Sequence, residues 1–179
     1  MSRRILLMGR SGCGKTSLIR RMHEKTKTPD KQVDSCSNRD EHGKPGPDGM
    51  LLIVNKTQAA EYHSDFIDVP GEYLEVRSFY RALVMLTCEA CAIVLVQAAD
   101  DSESLYPSGL ARTFDKPVVG VVSKTDLVPS DPNRAETILK EAGASRIFFT
   151  SALTAAGTDG LIECLKTLWQ PGVKKMKSR

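Results

Sequence analysis

The sequence lacks any hydrophobic run long enough to cross a membrane, and it contains no internal repeat. A membrane-spanning helix needs about 20 consecutive apolar residues, so this absence excludes a protein built on membrane helices. The chain also has no large excess of charge of either sign. The net charge is only +3, and the basic residues of the last segment, 173–179, more than account for it. We therefore expect neither a membrane nor a nucleic acid as a partner.

Cysteine is scarce as well: the chain has five, an odd number, and its first residues do not resemble a secretory signal peptide. We therefore expect free thiols and a cytoplasmic location, because disulfides belong to oxidising compartments. Cys88 and Cys91 have the C-x-x-C spacing, but no second pair follows. Packing in the core is the favoured interpretation of these two residues, with redox or metal chemistry as the alternative.

The length and composition fit a single domain. The chain has 179 residues, of which 41% are hydrophobic and 26% are charged. We predict one domain over 1–172, followed by a short basic tail over 173–179. Between 25 and 50 the chain becomes rich in lysine, aspartate, serine, asparagine, glycine and proline, which is typical of a loop.

One short stretch carries the strongest chemical signal, because residues 9–16 read G-x-x-x-x-G-K-T, the phosphate-binding P-loop pattern. An apolar run over 5–8 precedes it and a helical pattern follows it, as the motif requires. Lys15 is predicted to reach the β- and γ-phosphates, and the Thr16 hydroxyl is predicted to bind Mg²⁺. Backbone N–H groups and the helix N-terminus supply further donors. The predicted phosphate-binding residues are Gly9, Arg10, Ser11, Gly12, Cys13, Gly14, Lys15, Thr16 and Ser17.

Strand and helix patterns alternate along the rest of the chain. Strands are predicted over 64–68, 92–96, 117–122 and 146–150, and helices over 74–86, 132–142 and 160–169. Between 100 and 114, Pro107 and Gly109 limit any helix to a short or broken one. The alternation predicts a three-layer α/β fold with a mostly parallel sheet and helices on both faces. A ligand is then expected beyond the carboxyl ends of the strands.

Two further motifs and one weaker one follow predicted strands. Asp68 and Gly71 form a D-x-x-G pattern, in which the carboxylate holds Mg²⁺ and the glycine N–H bonds the γ-phosphate. Ser123, Lys124 and Asp126 form an S-K-x-D pattern similar to the base-recognition motif [N/T]-K-x-D. A carboxylate there accepts hydrogen bonds from both N1–H and the exocyclic amine of guanine, a donor pair that adenine lacks. The weaker signal is the loop Ser151, Ala152 and Leu153, whose backbone is expected to meet the guanine oxygen.

The order and spacing of these motifs resemble those of Ras-like small GTPases. More narrowly, the chain resembles the EutP/PduV family of ethanolamine and propanediol utilisation proteins. This likeness rests on the motifs above, on Lys56-Thr57-Gln58-Ala59, and on the run Pro70-Gly71-Glu72-Tyr73-Leu74-Glu75. The resemblance implies that Thr57 closes on Mg²⁺ and the γ-phosphate, and that the protein is associated with bacterial microcompartments. Shell or enzyme components of a microcompartment are then possible partners. The resemblance also implies a short connection after the first helix, so we expect an insertion into the domain over about 27–55.

The residue after the D-x-x-G glycine departs from the Ras pattern. Ras-type enzymes place glutamine there to orient the attacking water, whereas this chain has Glu72. An ionised carboxylate is repelled by the γ-phosphate and cannot donate a hydrogen bond, so we expect slow hydrolysis. The predicted catalytic set is Lys15, Thr57, Gly71 and Glu72, and the predicted metal ligands are Thr16, Thr57 and Asp68.

The sequence is thus interpreted as a protein that binds GTP and GDP with Mg²⁺ and hydrolyses GTP slowly. Two alternatives remain open: a kinase that transfers phosphate to a small acceptor such as acetate, and a microcompartment adaptor that needs no nucleotide. One chemical expectation concerns Cys13, which lies in the P-loop beside Lys15 at a helix N-terminus. That setting predicts a lowered thiol pKa and a reactive thiol.

Overall fold

The structure, a computed structural model, describes residues 4–26, 60–63 and 65–168. Their strands form one six-stranded sheet in the order β2-β3-β1-β4-β5-β6, parallel except for β2, which runs antiparallel to β3. The strands are β1 (Arg4–Met8), β2 (Glu61–Tyr62), β3 (Phe66–Asp68), β4 (Ala90–Ala98), β5 (Val118–Ser123) and β6 (Ile147–Phe149). The α-helices are α1 (Lys15–Thr26), α2 (Glu72–Glu75), α3 (Tyr80–Cys88), α4 (Pro132–Glu141) and α5 (Thr158–Leu168). Two 3₁₀ turns cover Arg77–Phe79 and Leu110–Thr113.

Helices cover both faces of the sheet, which confirms the predicted three-layer α/β fold. Successive side chains of a strand point to opposite faces, and β1 sends Leu6 and Met8 to one face and Ile5 and Leu7 to the other. The first face packs against α3 and α4, and the second packs against α1 and α5. Strand β1 lies in the middle, between β3 and β4, so the connections leave it in two directions. Such a reversal opens a crevice at the carboxyl ends of the strands.

The predicted helix over 74–86 is wrong in its extent, because the chain breaks it at Val76. Val76 has an extended backbone, with φ −112° and ψ 115°, and it separates α2 from the 3₁₀ turn and α3. The break brings the rings of Tyr73 and Phe79 into a stack with centroids 5.3 Å apart. On one continuous helix, residues six apart would point about 120° away from each other. The aromatic contact therefore requires the bend.

Other elements agree with the sequence patterns more closely. The predicted strands over 92–96 and 117–122 and the helices over 132–142 and 160–169 are present, with ends that differ by a few residues. The segment between β4 and β5 contains only the short turn Leu110–Thr113, as Pro107 and Gly109 indicated. Strand β2 was not predicted. The proposed insertion over 27–55 lies outside the described residues.

Tyr106 fastens the two central strands at their carboxyl ends. Its side chain is buried, and the hydroxyl lies 2.8 Å from the Val96 carbonyl oxygen and 3.2 Å from that of Met8. Burial raises the pKa of Tyr106 well above its ordinary value, so the phenol stays protonated and remains a donor. The contact fixes β1 where it leads into the loop over 9–14.

We expect Tyr106→Phe to lower the free energy of unfolding by about 1 kcal/mol, because the buried carbonyls lose their donor. Urea unfolding of both proteins measures the change. Tyr62→Phe is the matched control, since Tyr62 lies in the edge strand β2 with 49% of its surface exposed. Equal effects of the two substitutions would contradict the role assigned to the Tyr106 hydroxyl.

Candidate functional site

The loop over 9–14, called here the glycine loop, joins β1 to α1. Gly12 and Gly14 have φ of 76° and 95°, in the left-handed region that glycine adopts without strain. Among the described residues, the backbone N–H groups of Gly12, Gly14 and Thr16 have no backbone hydrogen-bond partner, whereas that of Lys15 is directed at the Cys13 sulfur. Free N–H groups at the start of a twelve-residue helix are suited to an anion. The geometry thus has the donors that the sequence motif predicts.

Lys15 is held inside the glycine loop. Its ammonium nitrogen donates to the carbonyl oxygens of Gly9 at 2.9 Å and Arg10 at 3.0 Å, and the residue is 7% exposed. An ammonium group has three N–H donors; two bond these carbonyls, and the third has the Cys13 sulfur 4.0 Å away, a weak acceptor that a ligand can replace. The loop carbonyls therefore orient the Lys15 ammonium and leave it able to bind a ligand.

Thr16 and Asp68 form the polar contact beneath the glycine loop. The Thr16 hydroxyl donates to Asp68 Oδ2 at 2.5 Å, and Asp68 is only 6% exposed. Asp68 Oδ1 is buried and has no hydrogen-bond partner among the described residues. A buried carboxylate oxygen without a donor is costly, and a cation or an ordered water would satisfy it. Oxygen ligands of this kind suit Mg²⁺, so the residues fit the predicted metal.

Gly71 packs directly on the glycine loop. A Cβ added at Gly71 would overlap the backbone nitrogen of Ser11, which only a glycine avoids. Helix α2 begins at the next residue, Glu72, whose side chain is half-buried. The D-x-x-G segment thus touches the loop at Ser11, and Glu72 lies one residue from that contact.

Ser123 ends β5 and ties this strand to the glycine loop. Its hydroxyl lies 2.6 Å from the carbonyl oxygen of Cys13 and 3.4 Å from that of Gln97. Serine is shorter than the asparagine of the [N/T]-K-x-D pattern, yet the strand end brings the hydroxyl within hydrogen-bond distance of the loop. The S-K-x-D segment and the P-loop therefore form one connected unit.

The residues after Ser123 line a pocket of about 380 Å³. Lys124 has a left-handed backbone with φ 57°, and its ammonium pairs with Asp100 at 3.0 Å. Asp126 is exposed and borders the same pocket. The lining runs from the glycine loop to the loop after β6, and consists of Gly12, Gly14, Ser17, Leu18, Arg21, Ser123, Lys124, Asp126, Leu127, Thr150, Ala152 and Leu153.

The loop after β6 closes the far side of this pocket. Ser151 is buried; its N–H donates to the Ala156 carbonyl and its hydroxyl accepts from the Thr154 N–H at 3.0 Å. Ala152 and Leu153 line the pocket, and Leu153 is 77% exposed. Two residues of the Ser-Ala-Leu signal thus line the same pocket as Asp126, and their contact with a base stays a prediction.

Two contacts at the site were missed from sequence. The first is that of Arg21, which donates to the carbonyls of Ala152 and Leu153. Its position could have been found from the helical spacing of residues 14, 17, 18 and 21, which all line the pocket. Arg10 was predicted through its backbone alone. Its guanidinium pairs with Glu103 at 2.8 Å and Asp101 at 3.2 Å, and these hydrogen bonds raise the pKa of Arg10. No sequence signal placed those two acids beside the glycine loop.

Some of the predicted residues are not brought to the site. Thr57 lies outside the described residues. The four described cysteines are free thiols, as expected. Packing of the C-x-x-C pair in the core is wrong for Cys88, which is exposed, while Cys91 is partly buried at the start of β4. Within the described ranges, no cluster of three or more His, Cys, Asp or Glu residues is suited to a metal. Every helix in those ranges is too short or too polar to span a membrane.

The expected low pKa of Cys13 is wrong. Cys13 is 3% exposed, and its burial raises the pKa of the thiol above its ordinary value. Lys15, whose ammonium lies 4.0 Å from the sulfur, acts in the opposite direction but does not outweigh the burial. The sequence shows the nearby charge and the helix N-terminus, but it does not show that the side chain points into the core.

We therefore expect Cys13 to react with a thiol reagent more slowly than the exposed Cys88, by about tenfold or more at pH 8. A raised pKa leaves less thiolate at a given pH, so labelling of Cys13 requires more alkaline solution. Mass spectrometry of labelled peptides measures both rates, and Cys88→Ser verifies the assignment of the fast site. Labelling of Cys13 as fast as that of Cys88 would contradict the buried setting.

Comparison with known proteins gives one family. A family model described as ethanolamine utilisation – propanediol utilisation matches residues 47–167. The propanediol utilization protein PduV of Citrobacter freundii is 39% identical over 158 residues, which cover 88% of this chain and 89% of that protein.

Two proteins named probable acetate kinase EutP are also similar. The protein of Salmonella typhimurium is 31% identical over 144 residues, covering 79% of this chain and 74% of its own length. That of Escherichia coli is 28% identical over 149 residues, covering 82% and 78%. The chain therefore belongs to the PduV–EutP family of ethanolamine and propanediol utilisation proteins, as its motifs predict.

Proposed function

We propose that this protein binds GTP and GDP with Mg²⁺ and hydrolyses GTP slowly. The observation that carries the proposal is the hydrogen bond between the Ser123 hydroxyl and the Cys13 carbonyl. It joins a segment with free N–H donors to a segment with an exposed carboxylate, across one continuous pocket. A ligand that bridges the two must carry an anionic group at one end and hydrogen-bond donors at the other. A guanine nucleotide has that distribution.

The phosphate chain is bound by the glycine loop in this proposal. The donors for the phosphate oxygens are the N–H groups of Gly12, Gly14 and Thr16 and the ammonium of Lys15, and the glycine loop contains no acidic side chain that would compete with a phosphate. Thr16 and Asp68 hold the magnesium, which supplies charge neutralisation for the β- and γ-phosphates when bound. The unpartnered Oδ1 of Asp68 supports this assignment.

The base is bound at the opposite end of the pocket. Asp126 accepts from N1–H and the 2-amino group of guanine, and the Lys124 stem packs along the base, held in place by its ion pair with Asp100. Leu127 and Leu153 are large apolar residues that are 41% and 77% exposed, and both line the pocket. A flat heterocycle packed against these side chains would remove their apolar surface from water, which is favourable.

Phosphoryl transfer to a small acceptor is a second candidate, favoured by the name probable acetate kinase that the EutP relatives carry. The same loop, lysine and metal ligands serve both reactions, because each stabilises charge on a transferring γ-phosphate. Incubation of the protein with GTP or ATP, Mg²⁺ and acetate separates them. Acetyl phosphate formation that exceeds phosphate release to water would favour the kinase over the proposed GTPase.

Family membership also suggests where the protein acts. Its relatives are named for the utilisation of propanediol and ethanolamine, and we propose a cytoplasmic protein associated with a microcompartment shell or its enzymes. A microcompartment adaptor that needs no nucleotide is the remaining alternative. Nucleotide affinity decides between them, because an adaptor whose pocket is a relic has no reason to retain micromolar binding.

The base assignment predicts that Asp126→Asn weakens GDP binding by about 2–4 kcal/mol, because a charge-assisted pair of hydrogen bonds is lost. The variant is expected to prefer xanthine nucleotides, since an amide donates to the second carbonyl of xanthine. Calorimetric titration with GDP, GTP, ATP and XDP, with and without Mg²⁺, measures both effects. Glu163→Gln, which removes one exposed carboxylate from α5, is the control. Equal affinity of the natural protein for ATP and GTP would overturn the assignment.

The hydrolysis assignment predicts an intrinsic turnover no faster than about 10⁻³ s⁻¹, in the range of unassisted small GTPases. Glu72→Gln is expected to raise this rate and to leave GDP affinity nearly unchanged, because an amide can donate as well as accept a hydrogen bond, whereas a carboxylate only accepts and is repelled by the γ-phosphate. Phosphate release under single-turnover conditions measures the rate. Glu75→Gln removes the same charge from the exposed end of the same helix and is the control. Loss of a fast natural activity in Glu72→Gln would instead make Glu72 a general base.

A further inference from the structure

We propose that Arg21 is a positioning residue that makes the pocket selective for a base with a carbonyl oxygen at its inner edge. The inference rests on the proposed function, because it concerns how the same pocket distinguishes a 6-oxopurine from a 6-aminopurine. It adds a residue from α1 to a recognition that the sequence motifs assign only to the segments after β5 and β6.

Each nitrogen of the Arg21 guanidinium has a partner, which engages three of its five N–H donors. Its Nε donates to the Ala152 carbonyl at 2.8 Å, one terminal nitrogen donates to the Leu153 carbonyl at 3.1 Å, and the other pairs with Glu24 at 2.9 Å. The planar fork of arginine spans two successive carbonyls, whereas the single ammonium of a lysine is a point charge. Glu24 holds the group from one side, so its orientation is fixed within α1.

These bonds change what the loop offers to a ligand. The carbonyls of Ala152 and Leu153 are occupied, whereas among the described residues the N–H groups of the same two residues have no partner. In a trans peptide the C=O and the N–H point in opposite directions. The N–H of Leu153 therefore points away from the guanidinium that holds the Ala152 carbonyl. At Ala152 and Leu153 the pocket wall therefore has free N–H donors, while the carbonyl acceptors of the same residues are bonded to Arg21.

A donor-only edge discriminates between bases by chemistry. The 6-oxo group of guanine or hypoxanthine accepts from such N–H groups, whereas the 6-amino group of adenine is itself a donor and meets no free carbonyl. The positive charge of Arg21 beside the two carbonyls further disfavours an amino group. Asp126 is assigned to N1–H and the 2-amino group, which lie on the same edge of the base beside the 6-oxygen, so the two contacts recognise different atoms and each contributes to selectivity.

A second basic residue of α1 holds the same loop further along. Lys25 pairs with Asp159 at 2.7 Å and lies 3.5 Å from the Ala155 carbonyl. The contact of Lys25 lies outside the pocket, because neither Lys25 nor Ala155 is among the residues that line the pocket. The loop is therefore fastened at two points, of which only Arg21 determines the polarity of the pocket wall.

The experiment compares nucleotides with and without the 6-oxo group. Affinities for GDP and for 2-aminopurine riboside diphosphate, which keeps the 2-amino group but lacks both the 6-oxygen and the N1–H, are measured for the natural protein and for Arg21→Met with Mg²⁺. Because the missing N1–H weakens the contact with Asp126 in both proteins alike, the quantity compared is the change in each affinity on Arg21→Met. We expect GDP binding to weaken by about 3- to 10-fold, the value of one hydrogen bond, and 2-aminopurine nucleotide binding to change by less than about twofold. Arg20→Met removes the same charge from the neighbouring, exposed position and is expected to change neither.

A measurement without nucleotide supports the comparison. Hydrogen exchange of peptides covering 150–156 is expected to be faster in Arg21→Met than in Arg20→Met, because the loop loses its carbonyl bonds. Arg21→Lys, which keeps the charge and one donor group, serves if the methionine variant does not fold, and is expected to lie between the two. Equal weakening for both nucleotides, or unchanged GDP affinity, overturns the inference while the proposed function stands. If the natural protein does not bind GDP, both are overturned.

Discussion

The hydrogen bond from Ser123 to the carbonyl of Cys13 is the contact on which the site depends. It connects the end of β5 to a loop that begins at the end of β1, with β4 lying between the two strands. The Tyr106 hydroxyl makes a similar contact within the sheet, where it bonds β1 to β4 near their carboxyl ends. Together the two hydroxyls hold the glycine loop against the sheet, so that its N–H groups are available without further rearrangement. Preorganised donors of this kind lose little free energy when a ligand arrives.

A common principle governs both ends of the pocket: the chain satisfies its own carbonyls and leaves its N–H groups free. At one end Lys15 binds the carbonyls of Gly9 and Arg10, and at the other Arg21 binds those of Ala152 and Leu153. Lys15 and Arg21 thus both bond carbonyls of the chain's own backbone. A pocket wall built in this way disfavours groups that need an acceptor, and the exposed carboxylate of Asp126 provides one at the rim.

The sequence was sufficient for the fold and for most of the residues around the pocket, because both follow from local patterns. Apolar strands and turn residues give the sheet, and the carboxyl ends of parallel strands gather the motifs that follow them. The errors have non-local causes. The helix predicted over 74–86 is broken at Val76, where Tyr73 and Phe79 stack across the bend, and burial reverses the pKa shift expected for Cys13. Arg21 was missed because its partners lie more than 130 residues away.

The pairing of Arg10 has a consequence for how the site responds to its solution. Both carboxylates that hold its guanidinium lie on the loop after β4, so this arginine adds little net positive charge near the glycine loop. If the protein binds a nucleotide as proposed, attraction to the phosphate chain comes from backbone dipoles and from Lys15, which act at hydrogen-bond distance. Dissolved ions screen charges separated by about 10 Å or more at ordinary ionic strength, and they have less effect on such short, partly buried contacts. Association with a polyanion at this loop is therefore weakly dependent on salt, unlike capture by a broad basic surface.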